Sequence, residues 1–258
     1  MIEERETALE ARDVVLKSGS EEMREAISFS IQKKGIHGIL GPDGSGKREL
    51  LRILAGIDES LSGEVEIGGA LLSVENIALR ATVALVPEKP TLVGSMTVRE
   101  TLEFAGTAKR VNPELLPRQI REAEELLGLD GISRRLVRRL TDAERWRVAL
   151  AMALLGNPEI LLLDEPMRTL GEDSYEGRME LVSMLGKVKT VVISTVSYSL
   201  ARALCEDVIL LSGGRCLVQG GFEELESRLA QNGSSDSLEE IYHSLCVSAR
   251  ELREEVAE

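Results

Sequence analysis

Gly41-Pro42-Asp43-Gly44-Ser45-Gly46-Lys47 sets two bounding glycines and a lysine in the spacing G-x-x-x-x-G-K. Glycines let successive backbone N–H groups converge on one point, the lysine adds a positive charge, and a helix starting there turns its positive end the same way. Together these bind phosphate. The candidate binding residues are therefore Gly41, Asp43, Gly44, Ser45, Gly46, Lys47, Arg48 and Glu49. The bland alternative is a glycine-rich turn that binds nothing. A second group closes the apolar run Ile160 to Leu163, which ends in Asp164 and Glu165. A buried strand ending in two carboxylates can hold Mg2+ through water and polarise an attacking water. Glu165 is the candidate catalytic residue and Asp164 a candidate metal ligand.

These groups need a scaffold that brings them to one edge. Ile36 to Leu40 predicts a strand feeding the glycine loop, and Leu50, Leu51, Ile53 and Leu54 predict a helix that stops at Gly56. Thr7 to Ser30 predicts two strands around a polar turn at Lys17 to Glu22, and Glu64 to Ile67 and Thr82 to Val86 predict further strands. Helical spacing covers Thr97 to Ala108, Glu114 to Leu127 and Thr141 to Leu155. Apolar runs at Ile160 to Leu163, Thr190 to Ser194 and Val208 to Leu211 alternate with helices at Asp173 to Leu185 and Tyr198 to Leu204. That alternation marks a mostly parallel sheet covered by helices. The expected fold is α/β, a P-loop core with an antiparallel N-terminal β subdomain. Residues 1–88 and 157–230 form the core, 89–156 an inserted helical subdomain, and 231–258 a C-terminal helix and tail.

The 258 residues carry a formal charge of −13, which opposes a nucleic-acid partner and adsorption to anionic lipid. No apolar stretch approaches the roughly 20 residues that span a bilayer, and Met1 to Glu10 is rich in glutamate rather than shaped as a signal peptide. A cytoplasmic chain without membrane insertion is expected. Cys205, Cys216 and Cys246 form no CxxC pair and read as small apolar residues.

Several blocks are similar to the ABC ATPase family. Ile39 to Gly56, ILGPDGSGKRELLRILAG, resembles its Walker A segment. Ala149 to Pro166, ALAMALLGNPEILLLDEP, resembles the run from signature helix into Walker B strand, and Leu210 to Gly220, LLSGGRCLVQG, resembles a strand pair farther on. The resemblance implies a P-loop NTPase (RecA-like) fold, ATP as ligand, a membrane permease subunit as partner and a second ATP-binding subunit. It also implies composite sites, each made from the phosphate loop of one subunit and the signature of the other.

The motif positions depart from that pattern. Where the family ligates Mg2+ with a Ser or Thr hydroxyl, this chain has Arg48, and the Q-loop glutamine position holds Glu88. Two unit charges 4 Å apart interact by about 4 kcal/mol at an effective dielectric near 20, so an inward Arg48 opposes the cation; the alternative is that it swings to solvent. Glu88 would either approach Mg2+, as a weak metal ligand beside Asp164, or pair with Arg48 and fill the metal position. The signature reads Leu140-Thr141-Asp142-Ala143-Glu144, in which Thr141 keeps a hydroxyl while Asp142 and Glu144 bring negative charge; those acids also suit a helix start. Val196 stands at the switch histidine, Gly171 at the D-loop aspartate, and Ser18 at the adenine-stacking aromatic, a loss of about 1 kcal/mol. His37 reads as a structural histidine. Trp146 serves either as an interface anchor or as packing inside the helical subdomain.

The resemblance and its departures together imply an ATP-binding subunit with doubtful Mg2+ and little or no hydrolysis, peripheral on the inner face of the cell membrane through its permease. An active transport motor and a non-transport scaffold of the same fold are the alternatives.

Overall fold

Strand β3, Gly35–Leu40, is buried at every position, the pattern of a strand covered on both faces of a parallel sheet. In the computed structural model, which describes residues 6–17, 25–168, 175–231 and 237–257, β3 lies inside a six-stranded sheet. The other members are β6 (Val83–Val86), β7 (Ile160–Asp164), β8 (Thr190–Thr195), β9 (Asp207–Ser212) and β10 (Arg215–Gly220), in the order β10-β9-β3-β8-β7-β6. All neighbours run parallel except β9 and β10. The expected α/β class with a mostly parallel sheet is thus observed.

A second sheet is antiparallel. β1 (Thr7–Val15) pairs with β2 (Ile27–Gln32) and with β4 (Ser62–Ile67), and β4 pairs with the short β5 (Ala70–Leu71). Helix α1 (Lys47–Leu54) buries Leu50, Leu51 and Leu54 against Leu9, Val14, Ile27 and Val65 from this sheet and Ile39, Leu162 and Val192 from the parallel one. One apolar cluster therefore fixes both sheets around the helix that starts at the glycine loop.

The opposite face of the parallel sheet is covered by helices. α3 (Val98–Ala108), α4 (Leu116–Leu126) and α5 (Asp142–Leu154) fall between β6 and β7 in the chain, and Leu102, Ile120 and Leu150 join Val86, Leu163 and Ile193 in one continuous core. α6 (Tyr175–Gly186), α7 (Tyr198–Leu204), α8 (Phe222–Gln231) and α9 (Leu238–Ala257) complete that layer. A short α2 (Ile77–Arg80) and helix α8 were not legible as separate helices: α2 has four residues and buries none of them, and α8 buries only Phe222 and Leu225. The turn expected at Lys17 to Glu22 and the start of the helix expected from Asp173 lie largely outside the described residues, as does most of the break at Gln231 to Ser237.

His37 ties β3 to β9. Its Nδ1 meets Asp207 Oδ1 at 2.8 Å and its Nε2 meets the Lys34 carbonyl at 3.0 Å. A carbonyl and a carboxylate both accept, so the pair of contacts favours the protonated ring, which has a donor on each nitrogen. Burial opposes that charge, but Asp207 outweighs burial and the His37 pKa is raised. A group with a raised folded pKa stabilises fully below its unfolded value, about 6.5, and loses that contribution as pH rises through the folded value. The melting temperature should fall across that window, and His37→Gln should flatten the slope; an unchanged slope in the variant would remove His37 as its cause.

Candidate functional site

The C-terminal edge of the parallel sheet gathers the candidate residues, because β3 releases the glycine loop there, β7 ends in Asp164, and β8 releases Val196. Ligands bind in this position in open α/β sheets. The loop has little room for anything but glycine at two positions. A Cβ on Gly41 would stand 2.2 Å from the Leu211 carbonyl oxygen, and Gly46 has φ 99° with Leu16 close behind it. Gly46 is also the N-cap of α1 and supplies no side-chain cap, so the first amides of the helix are offered outward.

Lys47 is buried and donates to the carbonyls of Gly41 (2.7 Å) and Pro42 (3.0 Å). Its Nζ lies 3.7 Å from Glu165 Oε1. Burial lowers the lysine pKa and raises that of Glu165, each only partly offset by the other. Glu165 Oε1 and Ser45 Oγ are both buried without a hydrogen-bond partner, two orphaned polar atoms facing the phosphate loop's own lysine and helix start. Glu165 itself has φ 45°, an uncommon conformation for a non-glycine residue, fixed by donation of its N–H to the Ser194 hydroxyl at 3.0 Å.

Arg48 turns inward. Its Nε donates to Asp164 Oδ2 at 2.7 Å and its Nη2 to Glu88 Oε2 at 2.5 Å, although the side chain keeps 64% of its surface exposed. The ion pair expected between Arg48 and Glu88 is present, and Asp164 joins it. Ser194 Oγ donates to the other Asp164 oxygen at 2.7 Å, so both carboxylate oxygens of that residue are used. The alternative in which Arg48 swings away from the site is not the arrangement observed. Glu49 faces the end of β1, where its carboxylate accepts from the Lys17 N–H at 2.5 Å.

Two neighbours had no signal in the sequence. Arg168 grips Asp43 with two parallel bonds of 2.6 and 2.7 Å, closing the glycine loop onto the segment after β7. That carboxylate is the first cause of its raised pKa. Tyr242 on α9 donates its hydroxyl to the Val196 carbonyl at 2.8 Å, holding from behind the loop that follows β8. Val196 itself offers only its backbone N–H to Glu165, at 3.4 Å. Together the loop, Glu88, Asp164, Glu165 and Arg168 line a cavity of about 710 Å3.

The signature segment is a helix start. Thr141 Oγ1 accepts from the Glu144 N–H and Glu144 accepts from the Thr141 N–H, a reciprocal capping box, while Arg135 holds the second Glu144 oxygen at 2.8 Å. Both Glu144 oxygens are thereby used within the chain, while the Thr141 hydroxyl only accepts there and keeps its proton to donate. Trp146 is 2% exposed, which overturns the interface-anchor alternative: its ring packs in the core under the Arg178 guanidinium, whose carbon lies 3.9 Å from the ring centre. Arg178 also donates to the Pro166 carbonyl just past Glu165, and burial pulls its pKa down to about 10. Ser18 and Gly171, expected at the adenine and D-loop positions, lie outside the described residues.

Residues 25–168 match the family model described as ABC transporter. A probable sulfate/thiosulfate import ATP-binding protein of Chlorella vulgaris is 31% identical over 80% of this chain and 88% of its own. An energy-coupling factor transporter ATP-binding protein of Methanoculleus marisnigri is 30% identical over 85% of this chain and 81% of its own. Among solved structures, a dimeric ATP-binding cassette in a post-hydrolysis state bound to ADP and Pi superposes with a TM-score of 0.73 at 25% identity, covering 83% of this chain and 98% of that one. With a glycine loop, a β7 carboxylate pair and the sheet that joins them already in place, these similarities identify the family: the chain belongs to the ABC transporter family, as one of its nucleotide-binding domains.

Proposed function

We propose that the chain is the ATP-binding subunit of a transporter complex, that it binds nucleotide, and that it hydrolyses nucleotide poorly or not at all. The observation that carries this reading is the ion-paired Arg48, inserted between Asp164 and Glu88 in an otherwise well-formed phosphate loop. Binding calls on the α1 amides, Lys47 and Ser45 Oγ, and those groups are present at the site. Hydrolysis calls for a positioned water and for donors aimed at the charge that develops in the transition state. Glu165 remains as a base, but Val196 has no polar side chain to help it, and Asp142 and Glu144 put two carboxylates at the start of α5 where a triphosphate would have to approach.

A partner surface supports the transporter reading. Ile57, Ile77, Phe104 and Leu115 are each about half exposed or more and line a groove of about 930 Å3 between α1, α2 and the helices α3 and α4. Exposed large apolar residues that share one groove mark an interaction site. The proposed occupant is a membrane permease subunit, with a second ATP-binding subunit completing the pair, as the dimeric neighbour and the transport-related names of the relatives suggest. Among the described residues no helix is long and apolar enough to cross a membrane, so attachment to the inner face of the cell membrane rests on that permease. Phe104→Glu should abolish co-purification with a multi-span permease while leaving the melting temperature within a few degrees of wild type, since Phe104 is 62% exposed. Undiminished co-purification would rule out this groove as the docking site.

A further inference from the structure

Magnesium demands near-octahedral oxygen ligands at about 2.0–2.1 Å and keeps several waters. The residues at this site do not fit it. Arg48 offers only N–H donors, and it points them at the two carboxylates a metal would draw on. Asp164 has its second oxygen bonded to Ser194, and the second Glu88 oxygen lies 3.9 Å from Arg168 Nε. Both carboxylates are buried to the point of needing a cation beside them, with 4% and 11% of their side chains exposed. The guanidinium supplies that cation as part of the chain. Among the described residues no group of three or more His, Cys, Asp or Glu side chains could hold a metal ion.

We infer that this chain binds its nucleotide without a divalent cation, the Arg48 guanidinium standing in the place of the metal. The inference rests on the nucleotide-binding reading and says which form of the ligand the site takes: the free polyphosphate anion rather than its magnesium complex. Two of the five N–H groups of Arg48 serve Asp164 and Glu88, which leaves others for a phosphate oxygen. Arg48 follows Lys47 in the first turn of α1, so both side chains leave the helix end that offers its amides to the phosphate. A hydroxyl at position 48 would instead accept a cation, and Asp164 and Glu88 would then lose the guanidinium that now lies between them.

The test is calorimetric titration of the intact protein with ATP, once with magnesium chloride and once with EDTA, for wild type and for Arg48→Ser. Wild type should bind in both media with dissociation constants that agree within about twofold, and Arg48→Ser should bind about tenfold or more weakly in EDTA than in magnesium. Melting curves in both media establish that the variant is folded. A wild-type affinity about tenfold weaker in EDTA overturns the inference and leaves nucleotide binding standing. An Arg48→Ser variant as indifferent to magnesium as the wild type overturns the assignment to Arg48. No binding by wild type in either medium overturns the nucleotide reading itself, and the inference with it.

Discussion

Purified protein should turn over ATP in magnesium at a rate about a thousandfold or more below that of a relative with complete motifs, and Glu165→Gln should leave that residual rate unchanged. Loss of a single preorganised donor in an active site costs about 100- to 1000-fold. Where the resemblance implies a metal-ligating hydroxyl, a Q-loop amide and a switch imidazole, this chain carries Arg48, Glu88 and Val196. Such losses do not multiply when the groups act as one unit, so the expected loss is set at the upper end of that range, about a thousandfold, rather than at a product of all. Glu165 does not rescue the reaction. Burial raises its pKa and Lys47 opposes the rise only in part; its Oε1 has no hydrogen-bond partner to fix the direction in which it would accept a proton. Reverting position 48 alone should not restore turnover, because Val196 and the acidic Asp142 and Glu144 remain. Steady-state hydrolysis that disappears in Glu165→Gln would show instead that the chain is an active motor.

Trp146→Ala should lower the unfolding free energy by about 3–5 kcal/mol, the cost of emptying a large buried side chain from a core that relaxes only partly. Denaturant unfolding measures it. The ring is almost fully buried on α5, and the Arg178 guanidinium stacked on it would lose both its cation–π partner and its packing while remaining desolvated. Trp146→Phe should cost far less, roughly 1–2 kcal/mol, because the indole N–H has no hydrogen-bond partner to lose and an aromatic face stays under Arg178. A Trp146→Phe loss equal to that of Trp146→Ala would mean that the N–H, not the ring, matters there.

The sheet and the phosphate loop were legible because their signals are local: a short apolar run, a glycine spacing, a helical period. The opposite charges at positions 48 and 88 were legible in part. Each stands where the resemblance implies a group facing one ion, so their pairing was one of the alternatives open, and the structure selects it. Arg168, Ser194, Arg178 and Tyr242 had no such handle. Arg168 and Asp43 are 125 residues apart in the chain, and Tyr242 lies 46 residues from the carbonyl it binds. Nothing in the neighbourhood of either residue announces its partner, since only the closed sheet edge brings them together. Trp146 shows the converse. Flanked by Arg145 and Arg147 it left an interface anchor and interior packing both open; α5 packs against α3 and the sheet closely enough to bury it, and the third arginine that covers it comes from α6.

The bond from Tyr242 to Val196 has a kinematic consequence. A loop anchored only by its own strand can pivot about that strand's end. This one is pinned at a second point, on a helix that is itself held by Leu238 and by the stacking of Tyr242 on Tyr198 at 6.2 Å. Any displacement of Val196 larger than the stretch of one hydrogen bond therefore either breaks that bond, at about 0.5–1.5 kcal/mol, or carries α9 with it, so the movement of the loop is coupled to that of the C-terminal helix.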